Sequence, residues 1–172
     1  MSWIRKKKKY SKPKKLHDSV RREEENITQK KYGLKNKREI WKIDSKLKKI
    51  KNRAKELITR VEEQEKFFEK LKKIGLKVDS IEEVLALTKD DLLNRRLQSL
   101  VYKKGIAKSA KGARQMIVHK KILVDGKVVN IPSYTVPSEL ENSLEIRIKQ
   151  KKENKEKIIE TKETGGENAK EK

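Results

Sequence analysis

From Ile40 onward, apolar residues fall at Ile40, Ile43, Leu47, Ile50, Ala54, Leu57 and Val61, in alternating steps of three and four. That spacing lines them along one side of an α-helix, predicted to run roughly 30 Å. The remaining faces carry Lys42, Lys46, Lys48, Lys49, Lys51, Arg53, Lys55 and Arg60. Flanks of a single sign lack the complementary charges that hold a coiled-coil dimer together. The stripe is therefore expected to pack within the chain, against Phe67, Phe68, Leu71 and Ile74 of a following helix that ends on Gly75 as a left-handed cap. No homo-oligomer is expected.

Ser80-Ile81-Glu82-Glu83 has the spacing of a capping box and opens a short helix with Val84, Leu85 and Leu87. Thr88-Lys89-Asp90-Asp91 repeats the signal, with acids where the helix dipole favours them. The helix that follows is expected to hold Leu92, Leu93, Leu97, Leu100 and Val101 inward as one piece and to close at Gly105. Ser109 caps the next, which buries Ala113, Met116 and Ile117. After Lys121 the period changes from helical to alternating. Asp125-Gly126 between Ile122-Leu123-Val124 and Lys127-Val128-Val129 predicts a tight β-hairpin. Pro132 and Pro137 bracket a loop, and Leu144, Ile146 and Ile148 alternate with Glu145 and Arg147 as a further strand. The expected fold class is α+β. Its expected divisions are a basic extended arm over 1–20, a helical part over 21–93, a compact module of two helices and short strands over 94–148, and a charged tail over 149–172.

Charge decides what such a chain is for. Lys and Arg number 48 against 26 Asp and Glu, a net of +22 on 172 residues. Self-repulsion on that scale works against compaction, so an anionic partner belongs to the design. The absence of cysteine excludes disulfides, thiolate nucleophiles and Cys-ligated zinc. The basic start Arg5-Lys6-Lys7-Lys8-Lys9 has no apolar segment after it, and no run approaches the roughly 20 apolar residues of a membrane span. A soluble, unexported protein without membrane partners is expected. The arm itself, with no acid before Leu16, is expected to order only against a partner.

The sharpest signal lies between Asn94 and Val124, where nine Lys or Arg residues occur with no Asp or Glu. Arg95, Arg96, Lys103, Lys104, Lys108, Lys111, Arg114, Lys120 and Lys121 have no carboxylate within the window and are expected to be left for phosphates. Arg114 and Gln115 suit contacts beyond point charge, since a guanidinium grips phosphate with two hydrogen bonds. Ser109 is expected to donate to phosphate at a helix N-terminus whose amides point outward. A surface mixing helices and a hairpin favours folded RNA over the DNA major groove.

No catalytic constellation accompanies these residues. His119 stands among cations, a setting for an RNA contact rather than a general base. No nucleotide-binding glycine loop, metal-ligand spacing or nucleophile-base pair is present in the sequence. No enzyme activity and no cofactor are expected.

The motifs Arg95-Arg96-Leu97-Gln98, Lys104-Gly105-Ile106-Ala107, Ala113-Arg114-Gln115-Met116-Ile117-Val118-His119, Val124-Asp125-Gly126 and Ile131-Pro132-Ser133-Tyr134 resemble, in order, the RNA-binding module (alpha-L motif) of the small-subunit ribosomal protein S-four family. Upstream, Lys31-Tyr32-Gly33-Leu34-Lys35-Asn36-Lys37-Arg38-Glu39-Ile40-Trp41 is similar to the segment opening the helical part of its archaeal type. The resemblance covers about residues 30–148. It implies binding to small-subunit (16S) ribosomal RNA at a multi-helix junction, nucleation of subunit-body assembly, an influence on decoding accuracy, and S-five and S-twelve family neighbours in the cytoplasmic 30S particle. It adds Lys35, Lys37 and Arg38 to the expected RNA contacts. The zinc knuckle of some members is excluded here. Gln98 and Asp125 replace the family's usual Asp and Asn, changes expected to leave the fold alone. Two rival functions use the same chemistry, a stand-alone ribosome-associated RNA chaperone and a DNA-compacting basic protein. The long segment from Lys37 to Ile74 argues against a minimal chaperone.

Overall fold

A computed structural model of the chain describes residues 9–147 apart from Leu16. The charged tail, the strand position expected of Ile148 and the first part of the basic arm lie outside the described residues. The fold is α+β, seven helices followed by a three-stranded antiparallel sheet among the described residues.

Helix α1 (Ser19–Lys31) was not singled out by any sequence pattern; Asp18 opens it by accepting from the Arg21 amide at 3.3 Å. Helix α2 (Lys37–Leu57) carries the long stripe and buries Ile40, Leu47, Ala54 and Leu57. The expected last member of that stripe, Val61, is 70% exposed in a single 3-10 turn over Val61–Glu63. The helix ends at Leu57, whose carbonyl accepts from the Arg60 amide at 3.1 Å and from the Gln64 side chain at 2.7 Å, and α3 (Gln64–Lys73) then shares a core with it. Leu47, Ala54, Leu71, Leu76, Val78, Val84 and Leu92 form the resulting core, flanked by Ile43, Ile50, Phe67, Phe68 and Ile74. Gly75 has φ +85° and closes α3 as expected: its amide bonds the Lys72 carbonyl and that of Leu76 bonds Leu71.

The described part of the N-terminal arm finds a partner within the chain. Tyr10 lies 6.2 Å from the Trp41 ring, with the Arg38 guanidinium 5.6 Å from the Tyr10 ring, and the Ser11 amide donates to Ser45 Oγ at 3.3 Å. Two short helices follow, α4 (Ile81–Ala86), capped by Ser80, and α5 (Lys89–Asn94), where Asp91 accepts from both the amide and the hydroxyl of Thr88.

The single helix expected from Leu92 to Val101 is broken after Asn94, and α6 runs Leu97–Lys103. The break has a backbone reason. Arg96 adopts extended geometry and bridges Thr135, while Leu97 donates to Tyr134, Gln98 to Pro132, and Val136 to Arg95. Amides that a helix would have turned inward instead dock the 132–136 segment.

Helix α7 (Ala110–Val118) follows a reversal at Gly105, φ +71°, and packs on α6. The hairpin of β1 (Ile122–Val124) and β2 (Lys127–Val128) turns on Asp125 and Gly126, both at positive φ. Strand β3 (Leu144–Ile146) pairs with the opposite edge of β1, giving the order β2-β1-β3. Leu97, Leu100, Val101, Ala113, Ile117, Ile122, Val124, Val136 and Leu144 form the core beneath them; Met116 packs at its margin, only partly buried.

Candidate nucleic-acid interface

The α6-turn-α7 pair and the approach to β1 carry the nine cations of the acid-free window, and the structure divides them into two classes. Arg95, Arg96 and Arg114 are satisfied by carboxylates brought from elsewhere in the chain, which corrects the expectation that all nine are left for phosphate. Arg95 donates to Glu141 Oε2 at 2.8 Å, to the Ile74 carbonyl at 2.9 Å and to the Val136 carbonyl at 3.3 Å. One guanidinium thus ties the end of α3 to the 136–141 segment, using the fork geometry a lysine lacks.

Arg96 and Arg114 meet at Glu39 in the first turns of α2. Arg96 Nη2 donates to Glu39 Oε2 at 2.6 Å, and Arg114 Nη2 to Glu39 Oε1 at 2.8 Å. A further Arg114 contact reaches Gln98 Oε1 at 3.4 Å. Burial by itself pushes the Glu39 carboxyl up, but the hydrogen bonds from Arg114 and Arg96 more than offset it and hold the group below the usual carboxylate range. Gln98, almost fully buried, donates its amide to the carbonyls of Tyr32, Gly33 and Ala110 at 2.8–3.0 Å, locking the 32–33 turn onto the start of α7. Gly33 makes that approach possible, since a Cβ there would lie 2.9 Å from the Ala110 backbone.

The lysines behave differently. Lys103, Lys108, Lys111, Lys120 and Lys121 are exposed, and no carboxylate of the described residues lies within ion-pair distance of them. Lys104 is also exposed but donates to the Glu141 carbonyl. Lys108 and Lys111 sit at the N-terminal end of α7, where the helix dipole already favours an anion. Ser109 accepts from the Gly112 amide at 3.0 Å, so it caps the helix and takes one of the amides expected to face outward. Gln115, His119 and Lys121 line one shallow depression with Met116. Lys120 occupies a left-handed conformation, φ 57°, just past the His119 cap, where glycine would be the unstrained choice.

Of the upstream candidates, Lys35 is exposed, Lys37 donates to the Arg22 carbonyl at 3.3 Å and stands 3.6 Å from Glu25, and Arg38 is taken up by the Tyr10 ring. Sequence reasoning overlooked the wall of α2 facing the module, where Lys42 and Lys46 stand opposite Ser133 and Thr135. The only signal was that both lie one turn apart on the helix beside Ile43. No group of three or more metal-ligating side chains occurs among the described residues, and no helix there is long and apolar enough to cross a membrane.

A family model described as "S4 domain" matches residues 95–142, the stretch that contains α6, α7 and the hairpin. The chain is similar to the small ribosomal subunit protein uS4 of Nanoarchaeum equitans, 50% identical over 86 residues, 49% of this chain and 48% of that one. It is likewise similar to the small ribosomal subunit protein uS4 of Saccharolobus islandicus, 46% identical over 79 residues and 44% of each chain. The match spans about half the length of these curated relatives. Residues 95–142 thus match the S4 domain, and about half of the chain is similar to archaeal small ribosomal subunit proteins uS4.

Proposed function

We propose that this protein is a structural, non-enzymatic constituent of the small ribosomal subunit that binds its ribosomal RNA, in the cytoplasm. The observation that carries the reading is the segregation of charge on the S4 domain: its arginines each pair with a carboxylate of the chain, whereas Lys103, Lys108, Lys111, Lys120 and Lys121 stand exposed without carboxylate partners among the described residues. Exposed ammonium groups on a rigid helix pair and hairpin match the phosphates of folded RNA, and counterion release supplies the affinity. Gln115 and His119 line one depression near the C-terminal end of α7, Ser109 is exposed at its N-terminus, and all three add hydrogen-bonding capacity. Lys35 and Arg38 extend the contact to the start of α2.

The finer reading is early binding at a multi-helix junction, nucleating the subunit body and influencing decoding accuracy, beside S-five and S-twelve family neighbours. It is supported by the way the turn after α1, the start of α2 and the end of α3 are fastened to the S4 domain through Gln98, Glu39 and Arg95, which sets a second face beside that domain for another RNA helix. A stand-alone chaperone has no use for that second side. Sedimentation tests the function: the protein is expected to remain with small subunits after a high-salt wash. Equal affinity for small-subunit ribosomal RNA and duplex DNA at matched salt would overturn the reading.

A further inference from the structure

Between α2 and the 132–135 segment lies a cleft of about 350 Å³ whose polar lining includes Glu39, Lys42, Lys46, Arg96, Arg114 and Thr135. That volume falls within the range of small-ligand sites, about 300–1,000 Å³. Four cations stand there against one carboxylate, and Glu39 is already engaged by two of them, so the lining carries a surplus of three positive charges. Arg96 is 5% exposed, and its buried Nε has no hydrogen-bond acceptor among the described residues. A buried donor without an acceptor is destabilising, and an anionic acceptor would offset that. Lys46 shows a matching deficit on the opposite wall. The residue as a whole is exposed, desolvation sets its ammonium below the usual lysine pKa, and the Thr135 hydroxyl, at 3.5 Å, is its hydrogen-bond partner. Ile43, Leu92 and Pro132 supply an apolar floor beside these polar groups.

We propose that this cleft seats one unpaired nucleotide of the bound RNA, its phosphate held by Lys42, Lys46 and Arg96 and its ribose or base laid on Ile43, Leu92 and Pro132. The proposal rests on the RNA-binding reading and deepens it. It separates the exposed lysine face, which any double helix satisfies, from a seat that only an extruded or single-stranded nucleotide can enter. A free nucleotide offers the same chemistry, and the experiment distinguishes the two sources.

The full chain carrying Lys46→Met and Thr135→Val is compared with one carrying Lys108→Met and Lys121→Met. Each is titrated with small-subunit ribosomal RNA, with a fully paired RNA duplex, and with adenosine monophosphate followed by NMR. The cleft variant is expected to lose about tenfold in affinity for ribosomal RNA, the effect of one charge-assisted hydrogen bond near the weak end of its range, while duplex affinity moves less than about twofold. The lysine-face variant is expected to lose affinity for both RNAs. Lys46→Arg alone is expected to keep ribosomal-RNA affinity, and the retained duplex affinity of the cleft variant shows that it is folded. Equal losses on both RNAs by the cleft variant, or none on either, overturn the seat. Adenosine monophosphate binding lost in the cleft variant, with ribosomal-RNA affinity intact, assigns the cleft to a free nucleotide and also overturns it. Failure of the wild-type chain to prefer ribosomal RNA over duplex DNA would instead defeat the underlying function.

Discussion

Replacing Glu39 by Gln tests the joint between the helical part and the S4 domain. The carboxylate serves Arg96 and Arg114 together, at 2.6 and 2.8 Å, and their side chains are 6% and 25% exposed against 17% for Glu39. Removing one partner of a buried pair costs about 3–5 kcal/mol because the other charge is left uncompensated. Glutamine keeps one acceptor and the site is not wholly dry, so the expected loss is about 2–3 kcal/mol. For a domain held by about 5–15 kcal/mol, that is a large fraction. Urea unfolding followed by tryptophan fluorescence in a Trp3→Phe background reads it, because the remaining Trp41 donates to Glu25 from the same end of α2. A double-mutant cycle with Arg114→Gln is expected to give a coupling of about 1–2 kcal/mol.

The pH dependence provides an independent check. Glu39 has a folded pKa held below its ordinary value of 4.5, so its contribution is fully present above that value and is lost as pH falls through the folded pKa. Wild-type stability is therefore expected to drop more steeply than that of Glu39→Gln below about pH 4.5. A loss under about 0.5 kcal/mol at neutral pH, the range of an ordinary surface substitution, additivity in the cycle, or parallel acid profiles would refute Glu39 as the joint.

Gly75→Ala is expected to cost about 2 kcal/mol, because the new Cβ would lie 2.3 Å from the Arg95 guanidinium at a backbone φ of +85°; unaltered urea stability would count against the Arg95 tie. Lys120→Gly is expected to stabilise the fold by about 1 kcal/mol through relief of left-handed strain, while flattening the salt dependence of RNA binding by one phosphate contact. A destabilised variant, or an unchanged slope, would contradict this placement. Arg114→Ala with Lys108→Ala is expected to reduce the salt slope by roughly 0.7 to 0.9, one contact rather than two, since Arg114 is occupied by Glu39. A fall of twice that size would return Arg114 to the RNA.

Local signals in the sequence are legible where a single element decides the outcome. The spacing of Ile40, Leu47, Ala54 and Leu57 specifies α2, and Asp125-Gly126 specifies the hairpin turn. Both follow from steric rules acting over a few residues. What the pattern misses comes from distant partners. The break at Arg95-Arg96 depends on backbone bonds to residues 132–136, which no helical periodicity records. Val61 fits the helical step yet falls beyond the helix end, where the Leu57 carbonyl accepts from the Gln64 side chain instead. The α2 wall of the cleft is hidden for a similar reason: Lys42 and Lys46 gain their meaning from Ser133 and Thr135, which lie far later in the chain.

An acid-free window does not make its cations unpaired, since folding delivers Glu39 and Glu141 from outside it. The side chains so recruited are arginines, and physical chemistry gives the reason. A planar guanidinium is weakly hydrated and offers several donors in a fixed fork, so it loses less on entering a joint and can serve two or three acceptors there. An ammonium is compact and strongly hydrated on a flexible stem, and remains at the surface. Counting Lys and Arg separately within a basic window therefore carries information that net charge discards. Here it separates the arginines that hold the S4 domain in place from the exposed lysines, and under the proposed function the weight of RNA contact falls on Lys103, Lys108, Lys111, Lys120 and Lys121. Arg96 has a donor to spare. Its Nη2 is spent on Glu39, but its Nε has no acceptor among the described residues and the side chain lines the α2 cleft, so under the proposed nucleotide seat one guanidinium serves both as a fastening and as a binding group.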